Sequence, residues 1–130
     1  MKRTEKNKLQ KALSAYFGEI HKIYIGGDFR EESFYPALKE LLEGYSKLSG
    51  SQAGVLVQPK KTEVGIPDFL IKSNGEIVGY IEAKSPDTVL REVEHSDQLE
   101  RYRASLPNLI LTNFLEFQLY RFGGPIDQVE

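Results

Sequence analysis

The fold of this chain is decided by the stretch GIPDFLIKSNGEIVGYIEAK, which covers residues 65–84. Two apolar runs within it flank the dipeptide Asn74-Gly75. An Asn-Gly pair between hydrophobic runs is a strong signal for a tight turn that joins two antiparallel strands. The stretch therefore predicts a β-hairpin with strands over residues 69–71 and 77–84.

Three charged residues lie at the open end of this hairpin. Asp68 follows a proline at the start of the first strand, and Glu82 and Lys84 come near the end of the second. Because side chains alternate along a strand, Glu82 and Lys84 share a face. A two-residue turn would place Asp68 opposite Ile81, whereas an extra residue in the turn or a β-bulge would place it opposite Glu82. We predict such an irregularity.

These charges end a strand that is otherwise apolar, and buried unpaired charge is costly. Two carboxylates about 5 Å apart across a strand pair repel each other unless a cation lies between them. Oxygen ligands favour a hard divalent ion such as Mg²⁺, and a neighbouring lysine can orient water or stabilise charge on a phosphate. The pattern favours metal-assisted phosphodiester hydrolysis. The alternative is an exposed Glu82–Lys84 salt bridge, with Asp68 as an ordinary turn residue.

The rest of the chain alternates between helical and extended patterns. Apolar spacing predicts helices over about 9–20, from Glu31 or Ser33 to Leu48, and over 89–104, and strands over 55–57, 109–112 and 116–122. The order is typical of an α/β or α+β domain with a mixed sheet flanked by helices. We expect one domain over residues 1–125, with a tail or linker at 126–130.

Composition narrows the classes of function. The chain has 130 residues, no cysteine and a net charge of -2. The absence of cysteine excludes a disulfide scaffold, a thiolate zinc site and a cysteine nucleophile. Apolar runs fall far short of the ~20 residues of a membrane span, so we expect no membrane partner. Proteins that bind phosphates usually carry more basic than acidic residues, and this chain does not. A metal ion or another domain should therefore supply most of any affinity for nucleic acid.

Candidate phosphate contacts are few. Lys60 and Lys61 lead directly into the hairpin, and Arg101 lies in the third predicted helix. Charged residues on helix surfaces are often simply solvated. Lys60 and Lys61 are therefore the better candidates for contact with a nucleic acid backbone.

Pro67-Asp68, followed after thirteen residues by Glu82-Ala83-Lys84, resembles the signature of PD-(D/E)xK nucleases. Glu31–Leu38, Gly65–Phe69 and Gln98–Tyr102 are similar to N-terminal cleavage domains of single-chain restriction-modification enzymes. The resemblance covers about residues 31–122. It implies a restriction-endonuclease-like αβββαβ core with an extra N-terminal helix, in a cytoplasmic prokaryotic protein.

The resemblance also implies a metal site. Asp68, Glu82 and the backbone carbonyl of Ala83 would bind Mg²⁺, for which Mn²⁺ could substitute, and Lys84 would be the catalytic lysine. Glu31 matches an acidic residue of the family's first core helix that helps bind metal or water. Its position seven residues before Leu38 independently places it on the buried side of the second predicted helix.

Gln98 and Tyr102 match a Q-x-x-x-Y motif found after the lysine in several nuclease branches. They are four residues apart, so one helix face presents both. An ordinary polar–aromatic pair on a helix is the alternative.

The function that the resemblance implies is a Mg²⁺-dependent DNA endonuclease, the cleavage module of a restriction-modification system. Its partners would be DNA, fused or associated methyltransferase and target-recognition domains, and a second copy in a transient dimer for double-strand cutting. The sequence contains no methyltransferase motif, which leaves sequence specificity open. The alternatives are a non-catalytic nucleic-acid-binding or assembly module on the same fold, and an α/β interaction domain with incidental charges.

Overall fold

The computed structural model describes residues 2–61, 65–122 and 124–129, which form one six-stranded sheet with its strands in chain order. Strands three and four are parallel, and the other neighbouring pairs are antiparallel. The strands are β1 Ala53–Val57, β2 Phe69–Ser73, β3 Glu76–Ala83, β4 Asn108–Thr112, β5 Phe117–Arg121 and β6 Gly124–Val129. The helices are α1 Arg3–Gly26, α2 Tyr35–Leu48, α3 Leu90–Val93 and α4 Asp97–Ser105, and a 3₁₀ turn covers Glu31–Phe34. The predicted fold class, a mixed sheet flanked by helices, is confirmed.

Helices cover the sheet on both faces. One core joins α1 and α2 to the sheet through Tyr16, Ile20, Phe34, Leu38, Phe69, Ile81 and Ala83. The other joins α3 and α4 to it through Leu90, Leu99, Tyr102, Leu109, Leu111 and Tyr120. Alternation along β3 places Ile81 and Ala83 towards α2, so Glu82 lies on the side of α4. No helix among the described residues is long and apolar enough to cross a membrane.

The β2–β3 hairpin contains the predicted irregularity. Asn74 and Gly75 have φ values of 54° and 80°, the positive values that a type I′ turn requires. Lys72 pairs with Ile77, but Ile71 pairs with Gly79, so β3 holds one extra residue at Val78. Phe69 therefore pairs with Ile81, and the continued register places Asp68 opposite Glu82.

The second helix begins later than its apolar stripe suggests. Residues Glu31–Phe34 form a 3₁₀ turn, and α2 starts at Tyr35. Pro36 then lies in the first helical turn, where its missing N–H costs no helical hydrogen bond. The turn leaves Glu31 partly buried and Glu32 exposed.

The predicted single helix over residues 89–104 is wrong, because the segment forms α3 and α4 instead. Ser96 adopts an extended conformation, and its hydroxyl accepts a hydrogen bond from the Leu99 N–H at 3.3 Å. This N-cap satisfies a donor at the start of α4 and favours a new helix there. Gln98 consequently lies in the first turn of α4.

Residues 126–129 of the segment expected to be a tail or linker, 126–130, form part of a strand, and Glu130 lies outside the described residues. β6 covers Gly124–Val129 and pairs with β5 along its length, with an irregularity between Leu119 and Tyr120. Strand pairing uses backbone groups, so it does not need a strong hydrophobic alternation in the added strand. The sheet therefore continues past Pro125.

Candidate active site

The Asp68 carboxylate is held by two donors from different elements. The Tyr35 hydroxyl of α2 donates to Oδ1 at 2.8 Å, and the Ala83 N–H of β3 donates to Oδ2 at 2.7 Å. The Asp68 backbone carbonyl accepts from the Gln58 N–H at 2.7 Å, which extends the β1–β2 pairing by one residue. Both the backbone and the side chain of Asp68 are thus oriented by hydrogen bonds.

Pro67 removes one hydrogen bond from the β2–β3 strand pair at this point. The Lys84 N–H donates to the Thr112 carbonyl of β4 at 2.8 Å. Because successive residues of a strand direct their backbone groups to opposite neighbours, the N–H and carbonyl of Ala83 point towards β2. The continued register places Pro67 opposite Ala83, and proline has no N–H to donate to that carbonyl.

Glu82 is the buried carboxylate of the site, with 4% of its surface exposed. Its Oε2 lies 3.6 Å from the Lys84 Nζ, and its Oε1 has no hydrogen-bond partner among the described residues. Burial, and then the charge of Asp68, raise the pKa of Glu82 to about 8, although Lys84 acts in the opposite direction. A cation beside Asp68 and Glu82 would oppose this shift, because a nearby positive charge favours the ionised carboxylate.

Lys84 is oriented from two sides. Besides its ion pair with Glu82, its Nζ donates to the Gln98 Oε1 at 3.2 Å. Its side chain is 23% exposed, so part of it is accessible to solvent. The structure therefore brings together Asp68, Glu82, Lys84 and Gln98.

Tyr102 belongs to the core beneath the site, with 1% exposure. Gly65 packs against it: a Cβ atom at Gly65 would lie 2.8 Å from the Tyr102 hydroxyl oxygen, and φ at Gly65 is +138°. Burial, and then the charge of Glu82, raise the pKa of Tyr102. The tyrosine thus supports the segment that leads into Asp68.

Glu31 lies close enough to Asp68 and Lys84 for their charges to change its pKa. Burial raises the pKa of Glu31, Lys84 lowers it and Asp68 raises it. Among the described residues, however, no three histidine, cysteine or acidic side chains are grouped so that they could hold a metal ion. Glu31 does not form such a group with Asp68 and Glu82 in this structure.

The basic residues predicted to contact phosphates lie at the surface. Lys60 and Lys61 follow the buried Pro59 after β1, and both are exposed. Arg101 is exposed on α4, one residue before Tyr102. These side chains are accessible to an anionic partner.

Tyr35 is a residue of the site that no sequence pattern singled out. Its ring lies within the apolar stripe of α2, 4.7 Å from the Phe69 ring, and 3% of the residue is exposed. A buried tyrosine hydroxyl usually finds a hydrogen-bond partner, and this is the signal that could have identified it. The identity of that partner, Asp68, depends on how α2 packs on the sheet.

No protein-family model matches this chain, and neither does any curated protein. Among solved structures, it is similar to a chain of a DrdV–DNA complex determined by cryo-electron microscopy, with a TM-score of 0.71 and 23% sequence identity. The alignment covers 93% of this chain and 12% of that chain. A likeness at this identity shows the fold, and this chain spans only a small part of the DrdV chain.

Proposed function

We propose that this chain is a metal-dependent DNA endonuclease module, the cleavage part of a restriction-modification system. The observation that carries the proposal is the buried Glu82 carboxylate, whose Oε1 has no hydrogen-bond partner among the described residues, beside Asp68 and Lys84. The resemblance of residues 67–84 to the nuclease signature supports the same chemistry. The fold shared with the DrdV chain is compatible with it.

Asp68, Glu82 and the Ala83 carbonyl are the groups that would hold a divalent cation, with Mg²⁺ as the natural ion and Mn²⁺ as a substitute. They suit such an ion because they offer hard oxygen atoms, and one of these is buried without a partner. Glu31 would act at the edge of this set, on the ion or on water. When bound, the ion supplies positive charge beside the scissile phosphate and makes a nearby water more acidic.

Lys84 is the residue that would act on the reacting atoms. Its side chain is partly exposed, and its ammonium group is held between Glu82 and Gln98. From there it can orient the attacking water and stabilise negative charge on the phosphate. Gln98 would restrict the motion of the lysine, and Tyr102 would support the Gly65 segment from the core.

DNA is the proposed substrate, and other domains would hold most of it. The net charge of -2 gives this chain no general attraction for phosphates. Lys60, Lys61 and Arg101 are the proposed local contacts with the backbone. Methyltransferase and target-recognition domains, fused or associated, would supply specificity, and a transient dimer would cut both strands.

A plasmid-nicking assay tests the proposal. The parent chain, Asp68→Ala and Lys84→Ala are compared at high protein concentration and low salt, with Mg²⁺ or Mn²⁺ present. Lys72→Ala is the matched control, because Lys72 is an exposed lysine on the same hairpin. We expect nicking by the parent and by Lys72→Ala, and none by the two site variants or in EDTA.

The second candidate is a non-catalytic nucleic-acid-binding or assembly module on the same fold. It is favoured by the absence, among the described residues, of three acidic side chains grouped for a metal ion. This candidate predicts DNA binding that does not depend on divalent ions, without nicking. A DNA mobility-shift assay with and without Mg²⁺ separates the two functions.

A further inference from the structure

We infer that Tyr35 is a positioning residue that sets the orientation of the Asp68 carboxylate for a divalent cation, an inference that rests on the proposed function. Its hydroxyl donates to Asp68 Oδ1 at 2.8 Å. The residue comes from α2, 33 positions before Asp68 in the chain. It would act through Asp68 and would not contact the reacting atoms.

The geometry leaves Asp68 both fixed and able to bind. Each carboxylate oxygen accepts one hydrogen bond, Oδ1 from Tyr35 and Oδ2 from the Ala83 N–H. An ionised carboxylate has about four lone-pair positions, so each oxygen keeps one for a cation. Two donors on opposite oxygens prevent the carboxylate from rotating, and groups that orient a metal ligand in this way commonly contribute to metal affinity.

Tyr35 is itself held rigidly. Its ring packs against Phe69 at 4.7 Å and lies 6.3 Å from the Phe114 ring, and the residue is 3% exposed. Its hydroxyl is the donor in the bond to Asp68, because an ionised carboxylate oxygen can only accept. The ring therefore keeps its place when the hydroxyl alone is removed.

The test is Mn²⁺ binding by titration calorimetry to the parent chain, Tyr35→Phe and Tyr16→Phe. Tyr16→Phe is the matched control, because Tyr16 is also buried and its hydroxyl donates to the Phe114 carbonyl at 2.7 Å. We expect Tyr35→Phe to weaken Mn²⁺ binding by about tenfold or more, the usual effect of losing a group that orients a metal ligand. Tyr16→Phe should leave the affinity within about twofold of the parent, because its hydroxyl binds a backbone carbonyl and no carboxylate of the site.

The outcomes separate this inference from the proposed function. Equal Mn²⁺ affinity in the parent and Tyr35→Phe overturns the role of Tyr35 and leaves the proposed function intact. A parent chain that binds no Mn²⁺ overturns both. In a third outcome, Tyr35→Phe weakens Mn²⁺ binding but neither protein nicks DNA. This result supports the role of Tyr35 and counts only against the endonuclease activity.

A nicking assay tests the same inference through the dependence of the nicking rate on Mg²⁺ concentration. If Tyr35 positions a metal ligand, Tyr35→Phe should raise the Mg²⁺ concentration that gives the half-maximal rate by about tenfold. Saturating Mg²⁺ should restore most of the rate. A variant that is merely less stable would lose rate at every Mg²⁺ concentration, and that result would contradict the inference.

Discussion

Glu82→Gln should stabilise the metal-free protein above neutral pH. Glu82 is 4% exposed, and burial and the charge of Asp68 raise its pKa from 4.5 to about 8. Between these two values the unfolded chain releases the proton and the folded chain retains it. The contribution of Glu82 to the free energy of unfolding is therefore largest below pH 4.5, falls as the pH rises, and is smallest above about pH 8. Glutamine keeps the shape of the side chain and removes the ionisation.

The size of the effect follows from the pKa difference. One pH unit corresponds to about 1.4 kcal/mol, so the shift between 4.5 and about 8 represents at most about 5 kcal/mol. Part of this is offset, because the substitution removes the ion pair with Lys84 and introduces an amide N–H₂ that needs acceptors. We expect a net gain for Glu82→Gln of about 1–3 kcal/mol at pH 9.

The assay is urea unfolding in EDTA at pH 5, 7 and 9, followed by far-ultraviolet circular dichroism. Glu40→Gln is the control, because Glu40 is an exposed glutamate on α2. We expect the stability of Glu82→Gln relative to the parent to increase from pH 5 to pH 9, with little change for Glu40→Gln. A difference that is flat with pH, or a Glu82→Gln protein that is less stable than the parent at pH 9, would refute the reasoning.

Two further predictions concern the surroundings of the site. Gly65→Ala should lower the free energy of unfolding by about 1–3 kcal/mol, because φ at Gly65 is +138° and the new Cβ would lie 2.8 Å from the Tyr102 hydroxyl oxygen. Thermal denaturation measures the change, and a stability equal to that of the parent would contradict the prediction. Gln98→Ala should reduce the nicking rate about 10- to 100-fold by releasing Lys84, with Mn²⁺ affinity unchanged. The exposed Gln10→Ala on α1 is its control, and a loss of metal affinity in Gln98→Ala would mean that Gln98 acts on the metal ligands instead.

Much of the hairpin could be predicted from the sequence because its rules are local. Asn74 and Gly75 tolerate the positive φ values of the turn, and the alternation of side chains sets the face of each strand residue. The extra residue in β3 was predictable from a chemical requirement, since only a shifted register places Asp68 opposite Glu82. The break between α3 and α4 depended on the Ser96 cap, which competes with an otherwise continuous helical pattern.

The sequence by itself determined the mixed αβ architecture and the placing of three charged residues at one end of a hairpin, because turn chemistry and side-chain periodicity act over a few neighbouring residues. Only the tertiary structure decided that Tyr35 donates to Asp68, that Gln98 accepts from Lys84, and that one oxygen of Glu82 is buried without a partner among the described residues. These features depend on how separate helices pack against the sheet. Such packing is a property of the whole core, which no short stretch of sequence contains.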